Sequence, residues 1–399
     1  MRLADAVRRE AAVLWRDGRG WILVSISLGW FLSIGVRLVY PALAPFFRAD
    51  FGIGFGTTGL LLTLLWAAYA IGHIPGGILG DRLGEGRILV ASTLIAGVTV
   101  LVVALSMSVW MLFLGTITFG LATALFGPTR FTVFTSIYDE RAGSAIGITM
   151  AAGSAGNAVL PVVATLVAGA LIWRYSFLLF VPAFGVVAIG LFLSVPSRLT
   201  PATASLDGLS LETLEHLKRG MTTGGIPSIV GVQICFSFVF QGFSGFYPLY
   251  LIESKGVTPG VASALFGLFF AASFVVQPLA GSAMDRVGSR RSLLVVLAIS
   301  AIALWLLPFV ETLGVLILLT LVLSLLNGTA VITQTYIADA LPEDMKGTGL
   351  GTLKAGWMTV GATSPLLIGL LGDYGSLDAG FVVLAIVGSI SVAVTTLKL

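Results

Sequence analysis

Apolar stretches of about twenty residues recur from one end of this sequence to the other, and that recurrence constrains what the chain can fold into. At about 1.5 Å of rise per residue, such a stretch spans the roughly 30 Å hydrocarbon core of a bilayer as a helix. Inside that core a backbone N–H or C=O must find its partner within the helix, which excludes open loops and sheet edges. Twelve spans can be drawn, at about 21–47, 57–79, 88–107, 109–137, 144–169, 173–195, 226–251, 260–283, 292–310, 312–341, 347–371 and 377–397. Only 10% of the residues are charged and 57% are hydrophobic, whereas an average soluble domain is about a quarter charged. The expected class is an all-α, multi-pass membrane protein. The charged start "MRLADAVRREAAVLWRDGRG" lacks the apolar core of a cleavable signal, so the first span is expected to serve as the insertion signal and stay. Cys235 is the single cysteine, which rules out an intrachain disulfide.

Basic residues concentrate on the cytoplasmic side of membrane helices. A cytoplasmic N-terminus puts sixteen of them inside (Arg2, Arg8, Arg9, Arg16, Arg19, Arg82, Arg87, Arg141, Arg198, Lys218, Arg219, Arg286, Arg290, Arg291, Lys346, Lys398) and three outside (Arg48, Arg174, Lys255). Both termini are therefore expected in the cytoplasm, with the cytoplasmic membrane as the expected location. The longest polar stretch, 196–225, separates a six-helix bundle at 1–195 from another at 226–399. Within it Leu206, Leu209, Leu214 and Leu217 recur at helical spacing beside Lys218 and Arg219. That pattern fits a short helix on the membrane surface and fits a solvated linker equally well.

The halves repeat. "GILGDRLGEGR" from Gly77 and "GSAMDRVGSRR" from Gly281 match at Gly77/Gly281, Asp81/Asp285, Arg82/Arg286, Gly84/Gly288 and Arg87/Arg291, all 204 residues apart. The same offset relates Gly143 to Gly347, Gly147 to Gly351 and Pro161 to Pro365. One offset held over this length marks a duplication, and parallel six-helix repeats are a design of secondary transporters. This doubled loop, the span count and the linker resemble the major facilitator superfamily. The resemblance implies two parallel six-helix repeats and transport by alternating access. It implies for Asp81 a contact with a helix N-terminus that exists in one conformation only, worth about 0.3–1 kcal/mol at a surface. The alternative is that these loop residues only set topology. The second copy carries Ala283 and Met284 before its Asp, which weakens its match.

The three remaining basic residues, Arg37, Arg130 and Lys354, lie within spans. A charge at the bilayer centre costs about 2.5–3.5 kcal/mol on insertion scales. Snorkelling towards a helix end fits Lys354 best and Arg37 least. Ion pairing is the other alternative. Asp339, near the end of span ten, stands within reach of Lys354 or Arg130 in sequence terms, but one acid cannot neutralise three cations. In the resembling fold spans one, four, seven and ten line a central cavity, so the surplus charge would face an anion, whose planar oxygens suit a guanidinium fork.

Three of the four glutamines fall 204 residues after basic residues: Arg37/Gln241, His73/Gln277 and Arg130/Gln334. The first half would then offer charge, and the second neutral donors, at matching depth. Glutamines that simply fill helix contacts are the alternative. The arginines of spans one and four, with "WAAYAIGHIPGG" from Trp66, resemble the anion:cation symporter branch of the superfamily, which carries organic anions such as sugar acids and dicarboxylates. His73 replaces that branch's usual Gln, and Val36 and Ile137 stand where proton-coupled members carry acids. Lys354 instead resembles the lysine of carboxylate carriers. Tyr69 and Asn157 complete the expected substrate-binding set of Arg37, Arg130, Lys354, Gln241 and Gln334. His73 and Asp339 are the coupling candidates for a co-transported proton or sodium ion; exchange or uniport needs neither.

Small residues in "AAGSAGNAVLP" from Ala151 and "GWMTVGATSP" from Gly356 allow close helix approach, and are expected at surfaces where the halves rock. Two histidines, one cysteine and no acid pair within a span leave no catalytic set. The chain is read as a monomeric, non-enzymatic carrier of a small organic anion (a carboxylate, sugar acid or similar), embedded in the lipid bilayer, without metal, cofactor or nucleic acid. The alternative reading is a multidrug or other efflux carrier of the same fold.

Overall fold

In a computed structural model the described residues are 14–15, 18–138, 141–199, 226–340 and 346–398. Most of the expected linker, from residue 200 to 225 and including its leucine-rich segment, lies outside them. The described residues form helices without strands, and twelve of these helices are long and apolar enough to cross a membrane. We number them α1 (Arg19–Phe51), α2 (Phe55–Leu83), α3 (Glu85–Ala104), α4 (Val109–Ile137), α5 (Ala142–Ala170), α6 (Trp173–Ser194), α7 (Ile226–Glu253), α8 (Pro259–Ala271, continuing as Ser273–Val287), α9 (Ser289–Leu306), α10 (Leu313–Leu323, continuing as Leu326–Ala340), α11 (Lys346–Ala362, continuing as Ser364–Asp373) and α12 (Leu377–Lys398).

The three interruptions have local causes. In α11, Pro365 brings no N–H to its turn. In α10, Ser324 turns its hydroxyl onto the Leu321 carbonyl and the Asn327 amide donates to the Ser324 carbonyl, so side chains compete with the helix ladder. In α8, the Ser273 hydroxyl bonds the Phe270 carbonyl at the break.

Contacts divide the described residues into two compact units. One holds α1 up to Arg37, Ala68–Leu160, and α6 with the residues beside it; the other holds Leu38–Ala67, Pro161–Ala170 and all that follows from α7 onward. In the first unit α5 lies close on α1. A Cβ on Gly35 would meet the Gly156 backbone at 2.7 Å, and one on Gly153 would enter the Trp30 indole. The small residues of α5 thus serve packing within the first half of the chain, where a surface facing the second half was expected. In the second unit, Gly361 gives the same close approach to Ser237 and Gln241 of α7.

The duplication is visible in the backbone. Gly84 and Gly288 adopt φ of +101° and +87°, a region open to glycine, and each precedes a helix. Their N–H groups bond Gly80 and Met284 at 2.9 Å, and their carbonyls accept from Ile88 and Ser292 at 3.1 and 3.2 Å. All of these pairs differ by 204.

Candidate functional site

Within the first unit, four helices bring the charged and aromatic residues together. On α1, Trp30, Ser33 and Arg37 share a face by i, i+3, i+7 spacing; on α4, Thr123, Gly127 and Arg130 do so by i, i+4, i+7. Tyr69 and His73 are one turn apart on α2, and Met150 and Asn157 share a face of α5.

Arg37 is fully buried. Its Nη2 donates to the Thr123 hydroxyl at 3.2 Å and to the Ser33 carbonyl at 3.4 Å, and its guanidinium carbon sits 3.4 Å from the centre of the Tyr69 ring. The Thr123 hydroxyl donates onward to the Phe119 carbonyl, 2.9 Å. Thr123 therefore ties the charge of α1 to the backbone of α4.

Arg130, two turns along α4 from Thr123 and so about 10 Å away along the axis, is also buried. Its guanidinium carbon lies 3.3 Å from the Trp30 ring centre and 4.5 Å from that of Phe131. Nη2 donates to the Met150 sulfur at 3.4 Å, a weak acceptor, and Nη1 is buried without a hydrogen-bond partner. Among the described residues no ion pair includes Arg130 or Asp339, and Asp339 lies exposed on α10.

Stacking on an aromatic face is worth about 2 kcal/mol to a desolvated cation. It engages the face of the guanidinium and leaves the in-plane N–H fork for other acceptors. A cation held this way is stabilised without being neutralised.

His73 places Nδ1 2.7 Å from the Tyr69 carbonyl, with the two rings edge to face at 4.4 Å between centres. Gly127 makes the room, since a Cβ there would meet His73 Nε2 at 3.0 Å. Asn157 has a buried Oδ1 without a hydrogen-bond partner. The structure thus gathers Arg37, Arg130, Tyr69 and His73. It makes Trp30, an aromatic that the sequence offers as a wall of the cavity, the stacking plate, and it adds Thr123, Ser33, Gly127 and Met150, which sequence reasoning passed over. The shared face of α4 through Arg130 was the available signal for Thr123 and Gly127.

The other expected site residues lie in the second unit. Gln241 is buried, its Nε2 donating to Ser237 Oγ at 3.1 Å and to the Met358 carbonyl at 3.2 Å, with Oε1 unpartnered. Gln334 on α10 and Lys354 on α11 are half-buried. Lys354 occupies the repeat position of Met150, 204 residues on.

The two signature loops differ. Around Gly84, the buried Glu85 accepts from the Leu199 N–H at 2.9 Å, Arg87 N–H reaches the Ser197 carbonyl at 3.4 Å, and Arg198 bonds the Arg82 carbonyl. Burial, and secondly Glu85, push the Asp81 carboxyl above its usual range. Gly281 is half-buried and Asp285, Arg286, Gly288 and Arg291 are exposed, with open space around Gly288.

The chain matches the Major Facilitator Superfamily over residues 26–231 and again over 229–399. A probable sulfoacetate transporter of Cupriavidus necator is 23% identical over 393 residues, covering 92% of this chain and 90% of that protein. A cis,cis-muconate transport protein of Acinetobacter baylyi is 26% identical over 351 residues, covering 84% of each. A crystal structure of a D-xylose-proton symporter shares the fold with a TM-score of 0.79 at 15% identity, covering 95% of this chain and 97% of that one. The chain belongs to the major facilitator superfamily of membrane transporters.

Proposed function

We propose that this transporter carries a small organic anion across the cytoplasmic membrane by alternating access, as a monomer with both termini in the cytoplasm. One observation carries the reading. Arg130 is a buried, permanently charged guanidinium whose Nη1 has no hydrogen-bond partner and whose Nη2 reaches a sulfur, and among the described residues no carboxylate pairs with it. A buried donor left unmade costs about 1–3 kcal/mol, and more when charged. A cargo carboxylate or sulfonate would supply the missing acceptor. Arg37 adds a second cation on the same face of α4, and the two relatives named above support the same chemistry. Tyr69 and Asn157 would shape the site. Gln241, Gln334 and Lys354 would meet the cargo from the second half, and the loops around Asp81 and Asp285 would bias the conformational exchange. With Val36 and Ile137 standing where proton-coupled members of the anion:cation symporter branch carry acids, exchange or uniport is favoured over proton or sodium symport; His73 packs edge to face on Tyr69, the ring that stacks on Arg37.

A thermal-shift screen of the purified protein tests the reading. Carboxylates, sugar acids or sulfonates are expected to raise Tm, and less so for Arg130→Gln. Stabilisation by lipophilic cations alone would overturn it.

A further inference from the structure

The start of α2 lacks what a helix start needs. Its first N–H groups have no partner within the helix, and Gly54, the residue before Phe55, carries no side chain to cap them. At the matching place in the second half, 204 residues on, stands Thr258, whose Oγ accepts from the Val261 N–H of α8 at 3.5 Å. The two repeats therefore solve the same problem differently. For α2 the cap comes from another helix. Asp373, the last residue of α11, accepts from the Phe55 N–H at 2.7 Å through Oδ1 and from the Gly56 N–H at 2.8 Å through Oδ2.

Space is reserved for that carboxylate. A Cβ on Gly54 would stand 2.8 Å from Asp373 Oδ1, and one on Gly56 would stand 2.6 Å from Oδ2. The reverse contact also exists, because the Leu366 N–H, just after the break in α11, donates to Thr63 Oγ1 of α2 at 3.1 Å. Gly59 lies against the Pro365 carbonyl and Gly369 against the Phe55 carbonyl. At the same end, Arg48 of α1 pairs with Glu253 of α7 at 2.6 Å, and Thr165 of α5 bonds Ser263 of α8 at 2.6 Å.

Asp373 is poorly placed for its own helix. A carboxylate at a C-terminus faces the negative end of the helix dipole, whereas the same group at an N-terminus is stabilised. Its position is favourable only while α2 and α11 stay together. We propose that Asp373 is the latch that holds α2 of the first half against α11 of the second at the outer end of the bundle, and that it must release Phe55 and Gly56 for the carrier to open outward. The inference rests on alternating access and on the orientation set by the basic residues, and is independent of the cargo.

The test uses the full chain with Cys235→Ser and a single reporter, Leu62→Cys, on α2. Leu62 is buried, with Cδ1 3.6 Å from where a Cβ on Gly245 of α7 would stand. The readout is labelling by a membrane-impermeant maleimide in intact cells and in inside-out vesicles. Asp373→Ala is expected to speed labelling in cells by roughly ten- to a hundredfold, the value of a hydrogen bond to a charged group. Gly56→Ala keeps the charge but displaces the carboxylate, and is expected to act in the same direction. Asp373→Asn still accepts from one amide and should fall between. Wild-type labelling rates in both Asp373→Ala and Gly56→Ala, with monodisperse protein, would overturn the latch. A rise seen only in inside-out vesicles would support the latch and overturn the orientation instead. If Asp373→Ala does not fold, Gly56→Ala alone decides.

Discussion

The two halves of the chain keep one backbone plan and fill it with different chemistry. Where the first half places Arg37 and Arg130, the second places Gln241 and Gln334. Where Trp30 of α1 lies over Gly153 of α5, the matching pair is Ile234 of α7 and Trp357 of α11, which pack in one apolar cluster. The bulk has changed sides between partner helices while the packing survives, as expected of interiors that conserve volume more strictly than identity. The charge has no such exchange, for the second half returns only Lys354, at the position of Met150. Duplicated packing thus tolerates drift as long as volume is kept, whereas a buried cation persists on one side only, where ring faces and an acceptor are at hand.

The comparison breaks most visibly at the cations. Arg37→Gln or Arg130→Gln, which make the first half resemble the second, should lower transport in proteoliposomes by roughly a hundredfold or more, the range for truncating one member of a buried charge pair. Gln241→Ala and Gln334→Ala should cost about tenfold at most, as neutral hydrogen bonds do. Equal losses on both sides would end the asymmetry.

Packing gives the next effect. Gly153→Val, which drives a side chain into the Trp30 ring, should destabilise by about 1–3 kcal/mol, as overpacking does, and should also impair anion response because Trp30 is the plate under Arg130. Ile234→Val in the second half removes one methylene and should cost about 0.5–1.5 kcal/mol with the anion response intact. Thermal unfolding with and without anion reads both.

The loops come third. Alanine at Gly84 or Gly288 meets a strained positive φ, costing about 1 kcal/mol. At Gly84 it also strikes the Ser197 carbonyl, while Gly288 has open space. Gly84→Ala should therefore lower Tm further than Gly288→Ala. The smallest effect belongs to the partly exposed Arg48–Glu253 pair. Glu253→Gln should change stability by no more than about 1 kcal/mol, the ceiling for such pairs.

How much of this was legible in the sequence follows from range. The spans were readable because each is a local run, and the repeat because one offset survived. The breaks at Ser324 and Ala272 were not, since they depend on single side chains turning onto nearby carbonyls. Arg130 was readable as a charge, but its plate, Trp30, lies a hundred residues earlier, and no local pattern joins them. The small residues of α5 were read as facing the other half because small residues report close approach without naming the partner. Nothing near Asp373 in the sequence points to a helix start more than three hundred residues earlier; setting Gly54 beside Thr258 would have exposed the missing cap.

The central claim is that the cargo completes the coordination of Arg130. Met150→Glu tests it most directly, because Met150 is 45% exposed and its sulfur already touches the guanidinium at 3.4 Å. A resident carboxylate there should raise the Tm of the anion-free protein and abolish the further rise that anions give the wild type. An anion-induced rise in Met150→Glu as large as in the wild type would contradict the account.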